Sequence, residues 1–306
     1  MIMRTMERRG DIFFDYLLEK YCGNDEEVVK EMHLMYPDLC LHGICGFHFF
    51  YRDQSNDLGV ILECVKDKVY LKKLAKQCLL GPDRARIWVD LGMHIGAFSS
   101  YAVSAGCTVY GFEPEETNYR LALLNVPLNI QFGGSFEGYE KAVVPKAMMN
   151  KKKMTKLFYA SSRSNRSRHS VLTGYPQRHP RMGVMVETIT LEEIFETYPH
   201  VEGLKIDIEG AEVPVLQEIT WVPHRLRWIV LEYSFDYFRG MTRFSALMHR
   251  LRTWFAVDTN VCSQIVESYE LYPRYPWSGY IFAKRRPAGE IGWKLWEKQQ
   301  EMIAKV

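Results

Sequence analysis

Residues 87–113, IWVDLGMHIGAFSSYAVSAGCTVYGFE, constrain this chain more than any other stretch, because two apolar strand signals flank a glycine-bearing turn and the second ends on an acid. Ile87 to Leu91 reads as a buried parallel strand with Asp90 at its carboxyl end. Gly92 and Gly96 let the backbone turn tightly and approach a ligand before a helix begins. Val109 to Phe112 reads as the next strand. Glu113 follows Asp90 by 23 positions, close to the interval that separates a nucleotide turn from the carboxylate that takes a ribose diol in a doubly wound sheet. The stretch therefore predicts a pocket for an adenosine-type ligand.

The glycine positions narrow the ligand. A dinucleotide fingerprint starting at Gly92 needs glycines at 94 and 97, where this chain has His94 and Ala97, so a pyrophosphate is denied its close approach to the backbone. NAD is disfavoured. The remaining pattern, Asp90-x-Gly92-x-His94-x-Gly96, resembles motif I of class I methyltransferases, whose ligand is S-adenosylmethionine. That cofactor carries an ammonium and a sulfonium, which suit an anionic Asp90 better than a pyrophosphate would. A charged hydrogen bond from Glu113 to ribose hydroxyls contributes roughly 1.5 to 3 kcal/mol.

With 306 residues the chain is long enough for one large α/β domain, or for a domain with an appended cap. Its formal net charge of +2 gives no global case for nucleic acid or membrane. The distribution is uneven, since Lys141 to Arg181 holds eleven Lys or Arg and no Asp or Glu. The seven cysteines, at 22, 40, 45, 64, 78, 107 and 262, lack the paired spacing of a zinc site or a disulfide framework and read as reduced core thiols. No apolar run approaches the roughly 20 residues that span a bilayer, and the N-terminus lacks the apolar centre of a signal peptide. A cytoplasmic, soluble protein without a transmembrane segment is expected.

Along the chain, residues 11–36 carry two amphipathic helical patterns, with Asp25 as an N-cap and Pro37 as a stop. Residues 39–50 read as short strands, and a helical stretch runs from Leu58 to Leu80. After Glu113 a helix is expected from Glu116 to Asn125, then a third strand around Tyr139 to Val144. Hairpin strands follow at Lys156 to Ala160 and Gly183 to Thr188, flanking a loop rich in serine and arginine. Thr190 caps a helix from Leu191 to Tyr198. Leu204 to Ile208 and Trp228 to Tyr233 are the fourth and fifth strands, and Phe255 to Asn260 and Gly279 to Lys284 a terminal pair. Alternating strands and helices argue a mostly parallel sheet covered on both faces. Residues 1–50 are assigned to a helical cap or dimerisation element, which raises a homodimer as an expectation. Residues 51–286 form the main domain with 141–181 as a basic insertion, and 287–306 a terminal helix.

The second chemical centre is LKIDIEGAE, Leu204 to Glu212, a strand that ends in acids and turns through Gly210 into a helix. Asp207 and Glu209 are two apart, so in extended geometry they face one side, and Glu212 falls in the first helical turn, where its charge complements the dipole. In an open α/β sheet ligands sit outside the carboxyl ends of the strands, which brings these acids to the cofactor. VDLGMHIGAFS, FEPEETNYRLALLN, VETITLEEIF and LKIDIEGAEVPVL occur in an order that resembles the FkbM-like family of S-adenosylmethionine-dependent O-methyltransferases. The lead-in YRDQSNDLGVILECVKDKVY, with Arg52, Ser55 and Asp57, is also similar, so the likeness covers about residues 50–285. The resemblance implies an α/β, Rossmann-like class I methyltransferase fold with a mostly parallel seven-stranded sheet. It implies cofactor contacts at Asp90, Gly92, Gly96 and Glu113, with Asn118 supporting the loop and Ala142 near the adenine. His94 stands where the family usually has Asn and keeps a polar group at the cofactor. The N-terminal 50 residues and the basic insertion have no counterpart in the family pattern.

Methyl transfer from a sulfonium is an in-line displacement. Positioning supplies about 7 to 11 kcal/mol, and a general base adds a further factor of about 100 to 10,000. Asp207 is the first candidate for that base and Glu209 the second. The alternative is that both acids pair with Lys205 or an arginine. A divalent Mg or Mn ion is another way to lower the hydroxyl's pKa, and Asp207 with Glu232 or Asp236 would supply hard oxygen ligands. The acceptor expected from the family is a sugar, nucleotide sugar or glycan, with Arg163, Arg166, His169 and Tyr175 of the basic stretch as candidate contacts. Methylation of RNA is the competing enzyme reading, with the basic clusters holding phosphates. A non-catalytic cofactor-fold binding module is the competing reading outside enzymes.

Overall fold

The computed structural model describes residues 39–53, 55–66, 84–160, 169–172, 178–234, 241–257 and 278–286. In chain order the elements are β1 (Leu39–Ile44), β2 (Phe47–Arg52), α1 (Asp57–Ile61, continued by a π-helical turn), β3 (Ile87–Leu91), α2 (Ala97–Ser104), β4 (Thr108–Phe112) and α3 (Glu116–Leu128). There follow β5 (Ser135–Tyr139), β6 (Ala142–Val143), β7 (Met154–Ala160), β8 (Arg178–Ile189), α4 (Leu191–Thr197), β9 (Gly203–Ile206) and α5 (Glu212–Glu218). The described chain closes with β10 (Trp228–Ser234), α6 (Met241–Trp254), β11 (Phe255–Val257) and β12 (Ser278–Arg285).

Seven strands form the main sheet in the order β11-β12-β10-β9-β3-β4-β5. The run from β10 to β5 is parallel, whereas β12 lies antiparallel to both β10 and β11. Strand alternation sends Val89, Leu91, Ile229 and Leu231 into one core and Trp88, Trp228 and Val230 into the other. Both faces are thus covered, as continuous apolar strands require. From β3 the chain winds outward through β4 and β5. From β9 it winds the other way through β10, so the boundary between β3 and β9 is the topological switch point where an α/β sheet takes its ligand.

Most expected elements fall within a few residues of their observed spans, and α4 begins with a complete capping box between Thr190 and Glu193. The third strand is a correction. It runs over Ser135–Tyr139, and the apolar pair Ala142–Val143 leaves the main sheet to join β8 and β7 in a small three-stranded sheet. The edge position explains the misplacement: β5 faces solvent along one side and carries Ser135, Glu137 and Gly138, so it gives little apolar signal. The expected helices within residues 1–38, the remainder of the 58–80 helix and the terminal helix at 287–306 lie outside the described residues.

The hairpin of β1 and β2 belongs to the same core as β3 and α2. It is fastened by two asparagines one helical turn apart on α3. Asn125 accepts from the Phe50 amide at 2.7 Å and donates to the carbonyls of Phe50 and Ile95 at 3.0 and 2.9 Å. Asn129 repeats the grip on both backbone groups of His48. Side-chain amides here replace a neighbouring strand as hydrogen-bond partners for β2. Because an abandoned buried polar group costs about 1 to 3 kcal/mol, Asn125→Leu is expected to lower the unfolding free energy by about 3 kcal/mol in urea titration; a loss below about 1 kcal/mol contradicts this account.

Candidate functional site

The turn after β3 is shaped by what it must avoid. Gly92 has φ +73, and a Cβ there would meet the Asp207 carbonyl oxygen at 1.7 Å. No side chain fits, so the backbone leaving β3 and the backbone leaving β9 touch directly. The Asp207 amide also donates to the Leu91 carbonyl at 3.0 Å. His94 and Glu209, one on each turn, both take the left-handed conformation (φ 52 each), which costs a residue with a side chain about 1 kcal/mol or more. The expectation that Asp207 and Glu209 share a face of an extended strand fails for this reason. β9 ends at Ile206 and the chain coils through Glu209 and Gly210. Both acids nevertheless line the same cleft.

That cleft is bordered by Gly92, His94, Phe112, Glu113, Asn118, Ala142, His169, Asp207 and Glu209, with Lys141 and Ser170 beside them. Eight of the sequence candidates (Gly92, His94, Glu113, Asn118, Ala142, His169, Asp207 and Glu209) therefore converge. Asp90 and Gly96 stand behind the turn. Asp90 is fully buried, accepts from the Ser99 hydroxyl at 2.7 Å and lies 3.1 Å from the Lys205 ammonium, so its charge is answered within the protein. Gly96, in a left-handed conformation, packs against Val126 and Ala122. Arg163, Arg166, Tyr175 and Asp236 lie outside the described residues. Glu232 is on β10, and among the described residues no group of three or more His, Cys, Asp or Glu side chains could hold a metal ion.

Glu113 is held by the turn itself. One oxygen accepts from the His94 amide at 3.0 Å; the other accepts from the Glu115 amide at 3.0 Å and from Asn118 at 3.4 Å. A carboxylate offers about four acceptor sites, so one remains for a ligand hydroxyl. Burial pushes Glu113 up to about 7 and drives the neighbouring His94 down to about 4, so the imidazole is neutral at physiological pH. Neither His94 ring nitrogen makes a hydrogen bond among the described residues, although Nε2 lies 3.4 Å from Asp57. A ribose diol at Glu113 and a polar ligand group at His94 fit these two side chains.

Behind them lies a network only hinted at by the lead-in segment. Arg52 grips Asp57 with two N–H groups at 2.8 Å each and reaches Asn118 at 2.7 Å. Burial alone would raise Asp57, yet these bonds hold it below the usual carboxylate range. Two groups beside the acidic turn do more than their sequence positions announced. Glu212, in the first helical turn as expected, is buried and raised to about 7 by that burial, and accepts from the Ile208 and Gly210 amides at 2.9 Å each, closing the loop that carries Glu209. Lys205 was named as an alternative partner for Asp207 and Glu209, and it lies 3.6 Å from Asp207. The clue was an isolated lysine inside an apolar strand, where a lone cation is costly.

The sequence pattern of the FkbM methyltransferase domain matches residues 90–261. The chain belongs to the FkbM methyltransferase family. As a member it is an S-adenosylmethionine-dependent methyltransferase. No curated protein matches it. Solved structures similar to this FkbM chain include a SAM-dependent methyltransferase from Agrobacterium tumefaciens, 11% identical, with 82% of this chain and 70% of that chain covered and a TM-score of 0.42. Another is the N-terminal domain of EvdMO1 in the presence of S-adenosylhomocysteine and D-fucose, 11% identical over 87% of this chain and 99% of that one, TM-score 0.42. A third is the tRNA (uracil-54, C5)-methyltransferase of Pyrococcus abyssi, 10% identical over 81% of this chain, TM-score 0.37; the FkbM chain covers only 43% of that protein.

The ionised form of Glu113 is the one that can accept from a ribose hydroxyl on its remaining site, so cofactor affinity should rise with pH as this carboxyl loses its proton around 7. Calorimetry with S-adenosylhomocysteine from pH 6 to 8 is expected to show tightening in the parent and a flat, weaker profile in Glu113→Gln. A slope that persists in Glu113→Gln would assign the proton elsewhere.

Proposed function

We propose that this protein transfers the methyl group of S-adenosylmethionine to a hydroxyl of a sugar or glycan, with Asp207 as the general base. The observation that carries the reading is the placement of Glu113 and Asp207 on one cleft, at the carboxyl ends of strands on either side of the switch point. Glu113 and Asn118 take the ribose, and Phe112, Ala142, Val143 and Leu157 offer an apolar wall to the adenine. The bound cofactor supplies an electrophilic methyl on a positive sulfur. An acceptor hydroxyl attacks that methyl in line: the oxygen–carbon bond forms, the sulfur–carbon bond breaks and the hydroxyl proton passes to the Asp207 carboxylate. Asp207 is placed for this by partial exposure, its side chain being 26% accessible while Lys205 beside it is 4% accessible. Glu209, on the same wall, is the second candidate.

A sugar suits the rest of the lining. Lys141, His169, Ser170 and Glu209 present hydrogen-bonding groups around the cleft, and the Tyr159 ring meets His169 edge-on at 5.0 Å. The basic insertion contributes His169, Ser170 and Val171 to this wall through a bridge between Ser170 and Phe158. Three of the insertion's six described lysines are paired with acids: Lys141 lies 3.5 Å from Glu187, Lys146 3.5 Å from Glu192 and Lys153 2.6 Å from Glu193. Each of these pairings would have to be given up for the cation to meet an RNA phosphate.

Labelled methyl transfer to a panel of deoxysugar glycans, nucleotide sugars and RNA tests the acceptor class: label in RNA alone overturns the sugar reading. With an acceptor from that panel, Asp207→Asn is expected to keep S-adenosylhomocysteine affinity within about threefold and to lower kcat by about 100- to 10,000-fold. Unchanged kcat in Asp207→Asn removes it from the role of base.

A further inference from the structure

Lys205 sits in the middle of β9 with Asp90 as its cross-strand neighbour on β3 and Val230 on the other side. Its side chain is almost wholly buried; the ammonium donates to the Gly92 carbonyl at 2.7 Å and lies within ion-pair distance of Asp90 Oδ1 at 3.1 Å and Asp207 Oδ2 at 3.6 Å. Burial works against the charge, yet the Asp90 and Asp207 carboxylates hold this ammonium above the ordinary lysine range. Stability does not account for such an arrangement. A buried ion pair replaced by apolar groups of similar volume usually leaves a protein as stable or more so. What an apolar pair cannot do is reach past the strand end to two separate turns.

The contacts divide accordingly. Asp90 anchors the ammonium within the sheet, and the other two partners belong to the two adjoining turns that border the cleft: Gly92 on the cofactor turn and Asp207 on the acidic turn. We propose that Lys205 is a positioning residue that couples these two turns, so that occupation of the cofactor side fixes the acidic loop from Asp207 to Gly210 in the geometry needed for proton removal. The inference rests on the reading of Asp207 as the base and names what aligns it. Lys205 touches neither acceptor nor methyl; it acts through the backbone at Gly92 and the carboxylate at Asp207.

The coupling is read by amide hydrogen exchange in the full chain, with S-adenosylhomocysteine as the probe and no acceptor required. In the parent, saturating ligand is expected to slow exchange at residues 207–210 by about tenfold or more. In Lys205→Met the ligand still binds, with Kd raised by less than about tenfold, but this protection of the acidic turn is lost while that of residues 92–96 remains. Lys205→Arg, which keeps the cation, restores part of the protection and carries the comparison if Lys205→Met does not fold, the expected result then being protection between the parent's and none. Parent-like protection of 207–210 in Lys205→Met, or in Lys205→Arg where Lys205→Met does not fold, overturns the proposal. So does a parent whose acidic turn is indifferent to the ligand. Failure of the base reading is separate: unchanged kcat in Asp207→Asn, with coupling lost in the Lys205 variants, refutes the base and leaves the coupling in place.

Discussion

The site depends on the parallel pairing of β3 with β9, and in particular on the register that sets Asp90 beside Lys205. This register brings two turns, separated by more than a hundred residues of sequence, into backbone contact. Gly92 is the consequence: a Cβ on it would lie 1.7 Å from the Asp207 carbonyl oxygen, so there is no room for the smallest side chain. A slip of one residue along β9 would also send Lys205 to the opposite face of the sheet and bring Ile206 beside Asp90, leaving a buried carboxylate with no cation. Register, ion pair and cleft geometry are therefore one constraint seen three ways.

Several acids converge on this end of the sheet, and they differ in how their charge is answered. Asp90 is met by Lys205 and the Ser99 hydroxyl, and Asp57 by the Arg52 fork. Glu113 and Glu212 are met by backbone and side-chain amides without a paired cation; burial outweighs those bonds and raises both to about 7. Environment thus sorts chemically similar groups into different work, as hydrophobic burial and charge pairing do in any active site. The fixed ion pairs shape the walls. Glu113 keeps an acceptor site toward the cleft, and Glu212 holds the acidic turn closed.

Legibility in sequence followed the strength of the physical signal. Strands buried on both faces, IWVDL and WIVLEY, announced themselves as continuous apolar runs, and the cap at Thr190 marked the start of its helix to the residue. The edge strand β5 carries no such run and was displaced toward the apolar Ala142–Val143. Glu113, Asp207 and Glu209 were readable because acids at the carboxyl ends of strands are rare and chemically purposeful. The roles of Asn125 and Asn129 were not, nor was the bond from Arg52 to Asn118, since these bonds reach residues 66 to 81 positions away and nothing local records the partner. Asp90 was readable as the acid near the end of its strand, but its pairing with Lys205 was not. Pattern shows that an acid ends a strand; only packing shows that a lysine one strand over consumes its charge.

The basic insertion illustrates the same limit in the other direction. As sequence, eleven cations without an acid suggest a surface for anions. In the folded chain Lys141, Lys146 and Lys153 are met by Glu187, Glu192 and Glu193, all of which lie beyond the insertion on β8 and α4. Exposed pairs of this kind add little stability. They tie the start of the insertion to β8 and α4, while Lys151 and Lys152 stay exposed. Beside Lys141, the residues of the insertion's later part that return to the cleft are His169, Ser170 and Val171. An insertion that ties three of its lysines to acids of the main domain, and brings an imidazole, a hydroxyl and an apolar side chain to the cleft, carries less of its charge to the site than its composition suggests.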